Sequence, residues 1–205
     1  MKSIIHPTYF PNIEIFSNLI KYENVVFEVN DNYQKQTLRN RCFIYGANGR
    51  LQLTIPVKFS NTKKEKFKDI KICYNSNWQK IHLKSIQISY RNSPYFEFFE
   101  DYFFEVFEKK EKFLTDICLK SIEIIHEILE IDFNYKLTTA YKKNYELSVD
   151  NRELILKRRA VKENIIDPYS QVFDINHGFI SNLSIIDLIF NYGINSLDLL
   201  KVSKK

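Results

Sequence analysis

Residues 3–29 read SIIHPTYFPNIEIFSNLIKYENVVFEV, and the fold turns on them. Ser3–His6 is a short, mostly apolar run that ends on a histidine. Pro7 and Pro11 bracket a stiff loop, because each ring locks its own φ. Asn12 stands where a helix N-cap belongs. Ile13, Phe16, Leu19 and Ile20 then repeat at helical spacing, and Asn24–Val29 has the apolar core of a buried strand. Strand, loop, helix and strand in that order make a βαβ unit, which predicts parallel pairing.

Working outward, Cys42–Tyr45 and Leu51–Val57 flank GANG (46–49), a hairpin signal. Asp69–Tyr74 alternates like another strand. Ser76 or Asn77 caps a helix from Trp78 to about Tyr90. A second helix opens at Ser93–Pro94 and carries a core stripe of Phe96, Phe99, Phe103 and Phe107. A third, over 111–130, sets Leu114, Ile117, Ser121, Ile124, Ile125 and Ile128 on one face. Tyr135–Tyr141 is a candidate strand, 152–159 is ambiguous between strand and helix, and Tyr169–Phe173 reads as extended. Gly178 marks a turn, Ser181 or Asn182 a cap, and Gly193 the stop of a last helix. The expected class is α/β: one domain over 1–205, with a mixed, mostly parallel sheet and flanking helices.

The 205 residues are 44% hydrophobic and 27% charged, enough for a proper core and too apolar for a disordered chain. A net charge of +5 permits anionic partners. It falls short of the broad basic face that nucleic acid requires, so specific nucleic-acid binding ranks last. The lysine-rich run 58–68, which includes Glu65, reads as a solvated loop. Cys42, Cys73 and Cys118 are too sparse for a disulfide framework and lack metal-ligand spacing. No metal is predicted, and no cofactor is assigned. The first residues lack a signal-peptide core, and no apolar run approaches the ~18–20 residues of a membrane span. A cytoplasmic protein without a transmembrane segment is expected.

Four groups of residues carry candidate chemistry. His6, Tyr9 and the following helix N-terminus lie beyond a strand end, where open α/β sheets bind ligands and free N–H groups suit phosphate; the other reading is that the two side chains pack the strand end. Residues 33–44, YQKQTLRNRCFI, concentrate donors between two strands. If extended, the segment turns Arg39 and Arg41 to one face and Asn40 to the other. Two guanidiniums side by side suit phosphate, sulfate or carboxylate, or else they protect a sheet edge. Trp78, His82, Ser85 and Ser89 share a helix stripe that is too polar for ordinary core. His82 is either a general base over a cleft or a histidine satisfied by a backbone carbonyl. Asn182, Asp187 and Asn191 share the last helix, where Asp187 has the choice of capping, pairing with an arginine or facing water. A triad of Ser85, His82 and Asp187 is rejected, since no nucleophile elbow is present.

The segments HPTYFPNIEIF, YQKQTLRNRC, LTIPV, WQKIHLKSIQISYRNSPYF and GFISNLSIIDLIFNYG, in that order, resemble the WbqC-like protein family in its compact Bacteroidetes-type form. The resemblance runs from His6 to Gly193 and is poorest over 133–168. It implies a shared core of His6, Pro7, Tyr9 and Pro11; Asn40 and Arg41; Trp78, His82 and Tyr90; and the stretch Asn182–Gly193. Some members of that family lie in O-antigen gene clusters, and a glycyl or aminoacyl transfer role has been suggested for them. Many longer members have Gln in place of His6 and Trp in place of Asn12. The reading implied is a bacterial transferase acting on an anionic or nucleotide-linked precursor of cell-surface polysaccharide. His82 and His6 are its catalytic candidates. Tyr9, Asn40, Arg39, Arg41, Trp78, Tyr90, Asn182 and Asp187 are its substrate-binding candidates. The alternative is a non-catalytic binding or assembly protein with the same cleft.

Overall fold

The computed structural model describes residues 1–59, 64–156 and 165–201. It opens on the expected unit: β1 (Lys2–Ile5), α1 (Ile13–Lys21) and β2 (Asn24–Phe27). β1 and β2 are parallel, with Ser3 beside Val25 and Ile5 beside Phe27. Beyond their first residues both strands are wholly buried. Parallel strands covered on both faces need no apolar–polar alternation, and these show none.

α1 begins at Asn12 because its side-chain Oδ1 accepts the N–H of Ile15 at 2.9 Å. Asn182 Oδ1 takes the N–H of Glu14, and the carbonyl of Leu183 takes that of Ile13. The first-turn donors that sequence reasoning offered to a phosphate are therefore bonded within the protein. The Pro7–Pro11 loop is buried as well. Phe10 is held at φ 41° while its ring packs against Phe103 and Phe107 and its N–H reaches Ser121 Oγ. Left-handed backbone costs a non-glycine residue about 1–2 kcal/mol, which this packing offsets.

After β2 the chain leaves the sheet. β3 (Arg41–Gly46) and β4 (Gly49–Thr54) form the expected hairpin, and β5 (Val57–Lys58) pairs with β6 (Lys71–Ile72). The strand expected over 69–74 shrinks to β6. The helices α2 (Trp78–Tyr90), α3 (Phe96–Glu108) and α4 (Leu114–Ile128) follow, and the six residues named on the last of these are all buried. The chain then returns to the sheet as β7 (Tyr135–Leu137) and β8 (Ser148–Asp150). The sheet order is β7-β2-β1-β8, parallel at every step. Two antiparallel pairs stand beside it, and with the flanking helices this is the expected α/β class of mostly parallel strands.

The C-terminal part contains α5 (Asp174–His177), α6 (Ile185–Tyr192) and α7 (Ser196–Lys201). Ser184, not Ser181 or Asn182, caps α6. Tyr169–Phe173 forms no strand. Gly193 does stop α6: its φ is 57°, and a Cβ there would meet the Tyr95 ring at 2.7 Å. Arg152–Ile155 is a 3-10 turn; the remainder of that ambiguous run, 157–159, and residues 60–63 of the lysine-rich stretch lie outside the described residues.

Asn12→Ala removes the α1 cap and is expected to cost about 1 kcal/mol. The check is urea unfolding, where the midpoint should fall with an unchanged slope.

Candidate functional site

The chain order β1, β2, β7 steps outward across the sheet, and β8 then lands on the far side of β1. That reversal opens a crevice beyond the carboxyl ends of β1 and β8, where open α/β sheets hold ligands. A cavity of about 450 Å³ lies there, lined among others by His6, Asp31, Arg39, Tyr141, Asp150 and Arg152.

His6 follows β1 directly. Its Nδ1 is 2.8 Å from the Glu28 carbonyl, which can only accept, so Nδ1 carries the proton. Nε2 is then a lone pair, and it accepts from Arg39 Nη2 at 2.9 Å. The same Nη2 donates to Asp31 Oδ2 at 2.8 Å, and Nη1 donates to the Asn32 carbonyl. Arg39 has no exposed surface, and its guanidinium lies 4.9 Å over the Phe67 ring. Burial and the neighbouring guanidinium lower the His6 pKa to about 4. Burial works against the Asp31 charge, but the Arg39 guanidinium that donates to it holds the carboxyl down to about 2.

The opposite wall is a second pair. Arg152 donates to both oxygens of Asp150 and to the carbonyls of Lys142 and Lys143. Its guanidinium lies over the rings of Tyr141 and Tyr145. These bonds hold the Asp150 carboxyl below its ordinary range and push the guanidinium up. With Glu153 also on the lining, the crevice has three carboxylates against two guanidiniums. Each guanidinium is already matched, so the crevice presents hydroxyl acceptors and an aromatic wall rather than a free cation.

The remaining sequence candidates stand elsewhere. Residues 38–40 form a turn, not an extended segment, which corrects the expectation that Arg39 and Arg41 share a face. Arg39 sinks to His6 while Arg41 starts β3, half-buried. Asn40 donates to the Ile55 carbonyl and ties the turn to the chain beyond β4. The thiol of Cys42 is pushed up by burial and not activated by the arginines.

Tyr9 and His82 meet in the core. Tyr9 Oη is 3.0 Å from His82 Nδ1, and the other side of the imidazole bonds to the Thr54 backbone, so the tyrosine is the donor. The rings of Trp78 and Phe107 close around the imidazole. His82 is 3% exposed, and burial lowers its pKa to about 4. Both ring nitrogens are thus bonded, as in the reading of a histidine satisfied by a backbone carbonyl.

Tyr90 and Asp187 form a third group. Tyr90 accepts the N–H of Tyr45 and donates to Asp187 Oδ1. Tyr169 and Gln171 both donate to Oδ2. Asp187 is fully buried, and burial raises it to about 6 against the effect of its three donors. It neither caps, pairs with an arginine nor faces water. Asn182 serves the α1 cap. Of the candidates, His6 and Arg39 stand at the crevice, Tyr9, Asn40, Trp78, His82, Tyr90, Asn182 and Asp187 are buried in the interior, and Arg41 is half-buried at the start of β3.

Sequence reasoning missed Asp31, Asp150 and Arg152. Asp150 ends a three-residue strand too short for a periodicity signal, Arg152 follows two residues on, and Asp31 lies in the connection after β2. Asp–x–Arg at a strand end was the one signal on offer.

The match to known families covers residues 6–166 and is to the WbqC-like protein family. The chain belongs to that family. The matched region starts just after β1 and includes β2 to β8 and every crevice residue named above. The α6 part of the expected resemblance lies beyond it. No curated protein and no solved structure matches the chain. For this WbqC-like chain, no described helix is long and apolar enough to cross a membrane.

Three buried histidines fix the acid behaviour. His6, His82 and His126 are each lowered to about 4 from an ordinary 6.5. The unfolded chain binds their protons first, so stability is complete above 6.5 and drains away as pH falls towards 4. Asp187, raised to about 6 from 3.8, acts in the opposite sense over 3.8–6, and one group does not cancel three. Asp31 adds a loss only below 3.8, as pH falls towards 2. Melting temperature is expected to drop steeply between pH 6.5 and 4. His126→Phe should flatten that drop, and an unchanged profile would refute the assignment.

Proposed function

We propose that this chain is a transferase of bacterial cell-surface polysaccharide assembly, acting on an anionic or nucleotide-linked precursor whose hydroxyl-bearing part enters the strand-end crevice. The crevice carries the reading. It lies at the sheet's topological switch point, and it offers ionised carboxylates held in fixed directions by guanidiniums. Carboxylates accept hydrogen bonds from sugar hydroxyls, and an aromatic face such as Tyr141 suits the apolar side of a sugar ring. The family's O-antigen context, implied by the resemblance, supplies the substrate class, and glycyl or aminoacyl transfer is one form of it. His6 and Arg39 act as positioning residues: they set Asp31 rather than touch the reacting atoms.

One observation favours a second reading, a non-catalytic binding or assembly protein. The His6 lone pair is occupied by Arg39, and a carboxylate at about 2 is a weak base at neutral pH. Binding is therefore better provided for than proton abstraction.

The test is a thermal-shift screen of nucleotide-sugars and aminoacyl donors, with each hit followed for product formation. A ligand at 100 times its Kd stabilises by about 2.7 kcal/mol. The expected result is a hit that Asp150→Asn abolishes, with turnover by the wild-type chain. Binding without turnover selects the assembly protein. A hit indifferent to Asp150→Asn removes the crevice from both readings.

A further inference from the structure

Three lysines of the run read as a solvated loop, Lys58, Lys64 and Lys66, line a second cavity of about 1000 Å³ together with Lys71 and Lys112. Lys58 comes from β5 and Lys71 from β6, and the two are directly opposite in the antiparallel register. Lys112 joins them because Ile72 N–H bonds to its carbonyl. Lys64 and Lys66 flank Glu65, whose carbonyl takes the Tyr33 N–H. Glu65 and Asp69 are the acidic groups on the lining, against five lysines, which leaves three positive charges in excess. Among the described residues none of the five ammoniums is in an ion pair.

Like charges placed directly across a strand pair destabilise it. Here that cost is left uncompensated at Lys58 and Lys71, and three more ammoniums share the cavity. A protein that only needed solubility would disperse them. The walls also include Phe59 and Phe113, and the Lys112 ammonium lies 5.1 Å over the Phe113 ring. Compact ammoniums lining one cavity beside apolar rings suit a multiply charged anion joined to a flat group.

We propose that this cavity binds the diphosphate of a nucleoside diphosphate moiety. It supplies the free cations that the strand-end crevice lacks, and the two places adjoin. Asp31 lines the crevice, while its carbonyl accepts the Phe67 N–H and Asn32 bridges to Lys66, on the lysine side. The proposal rests on the transferase reading only for the group carried beyond the phosphates.

The experiment is calorimetric titration of the full chain with inorganic pyrophosphate, uridine diphosphate and a single-stranded oligonucleotide. It is repeated on Lys66→Gln/Lys112→Gln and on Asp150→Asn. Both lysines are exposed, so the double variant should fold, and its melting curve verifies that. Exposed ion pairs contribute modestly each, so the double variant should bind pyrophosphate about tenfold more weakly, while Asp150→Asn binds it as the wild type does. Uridine diphosphate should bind more tightly than pyrophosphate. Absence of pyrophosphate binding, or binding indifferent to the two lysines, overturns the proposal. An oligonucleotide that binds more tightly in proportion to its length, with a steep salt dependence, also overturns it in favour of nucleic acid. Pyrophosphate held by the lysines, beside a nucleotide-sugar indifferent to Asp150→Asn, would sink the crevice reading and leave this one standing.

Discussion

The guanidinium of Arg39 has no surface in water, and a buried charge left unpaired costs several kcal/mol. Its position therefore demands a carboxylate, which Asp31 supplies. The demand reaches further, since one Nη2 serves Asp31 and His6 together and Nη1 holds the Asn32 carbonyl. Three stretches of chain meet there: the end of β1, the segment after β2 and the turn before β3. The Arg39 carbonyl accepts the Cys118 thiol of α4, which ties the turn to the helical layer as well. The crevice floor is set by this knot, and the fixed direction of Asp31 follows from it.

Asp187 and His82 follow the same rule in the interior. Asp187 is tolerated because two tyrosines and a glutamine donate to it. His82 is tolerated because Tyr9 donates to one nitrogen and the Thr54 backbone receives the other. Such groups are costly when unsatisfied and highly specifying when satisfied. They explain how His82 sits in the core, while Ser85 of the same stripe stays half-buried with its hydroxyl on the Ile81 carbonyl. The same bonds leave these groups little freedom for chemistry.

Charge is divided unequally between the two cavities. Around the crevice each guanidinium has its carboxylate, and directional acceptors remain. Around the lysine cavity the lysines outnumber the carboxylates by three. On the function proposed above, the two sites would take one ligand by a hydroxyl-rich end and an anionic end. Neither site alone would serve both ends, because the bonds that order Asp31 and Asp150 use up the guanidiniums.

Local spacing was enough to show the βαβ opening, the hairpin around GANG, the helix Trp78–Tyr90 and the face of α4, because each is governed by contacts between near neighbours. The Asn12 cap and the Gly193 stop belong with them. His6 at a strand end was legible for the same reason. The order of the sheet, the strand at Ser148–Asp150 and the fate of Arg39 were decided by tertiary structure. A three-residue strand has no period to read, and its place beside β1 depends on a chain crossing. Whether an arginine is a free cation or a buried knot depends on which carboxylate the fold brings to it. The lysines of residues 58–71 and Lys112 carry positive charge in any sequence reading; only the pairing of β5 with β6, and of Ile72 with Lys112, turns that charge into a cavity.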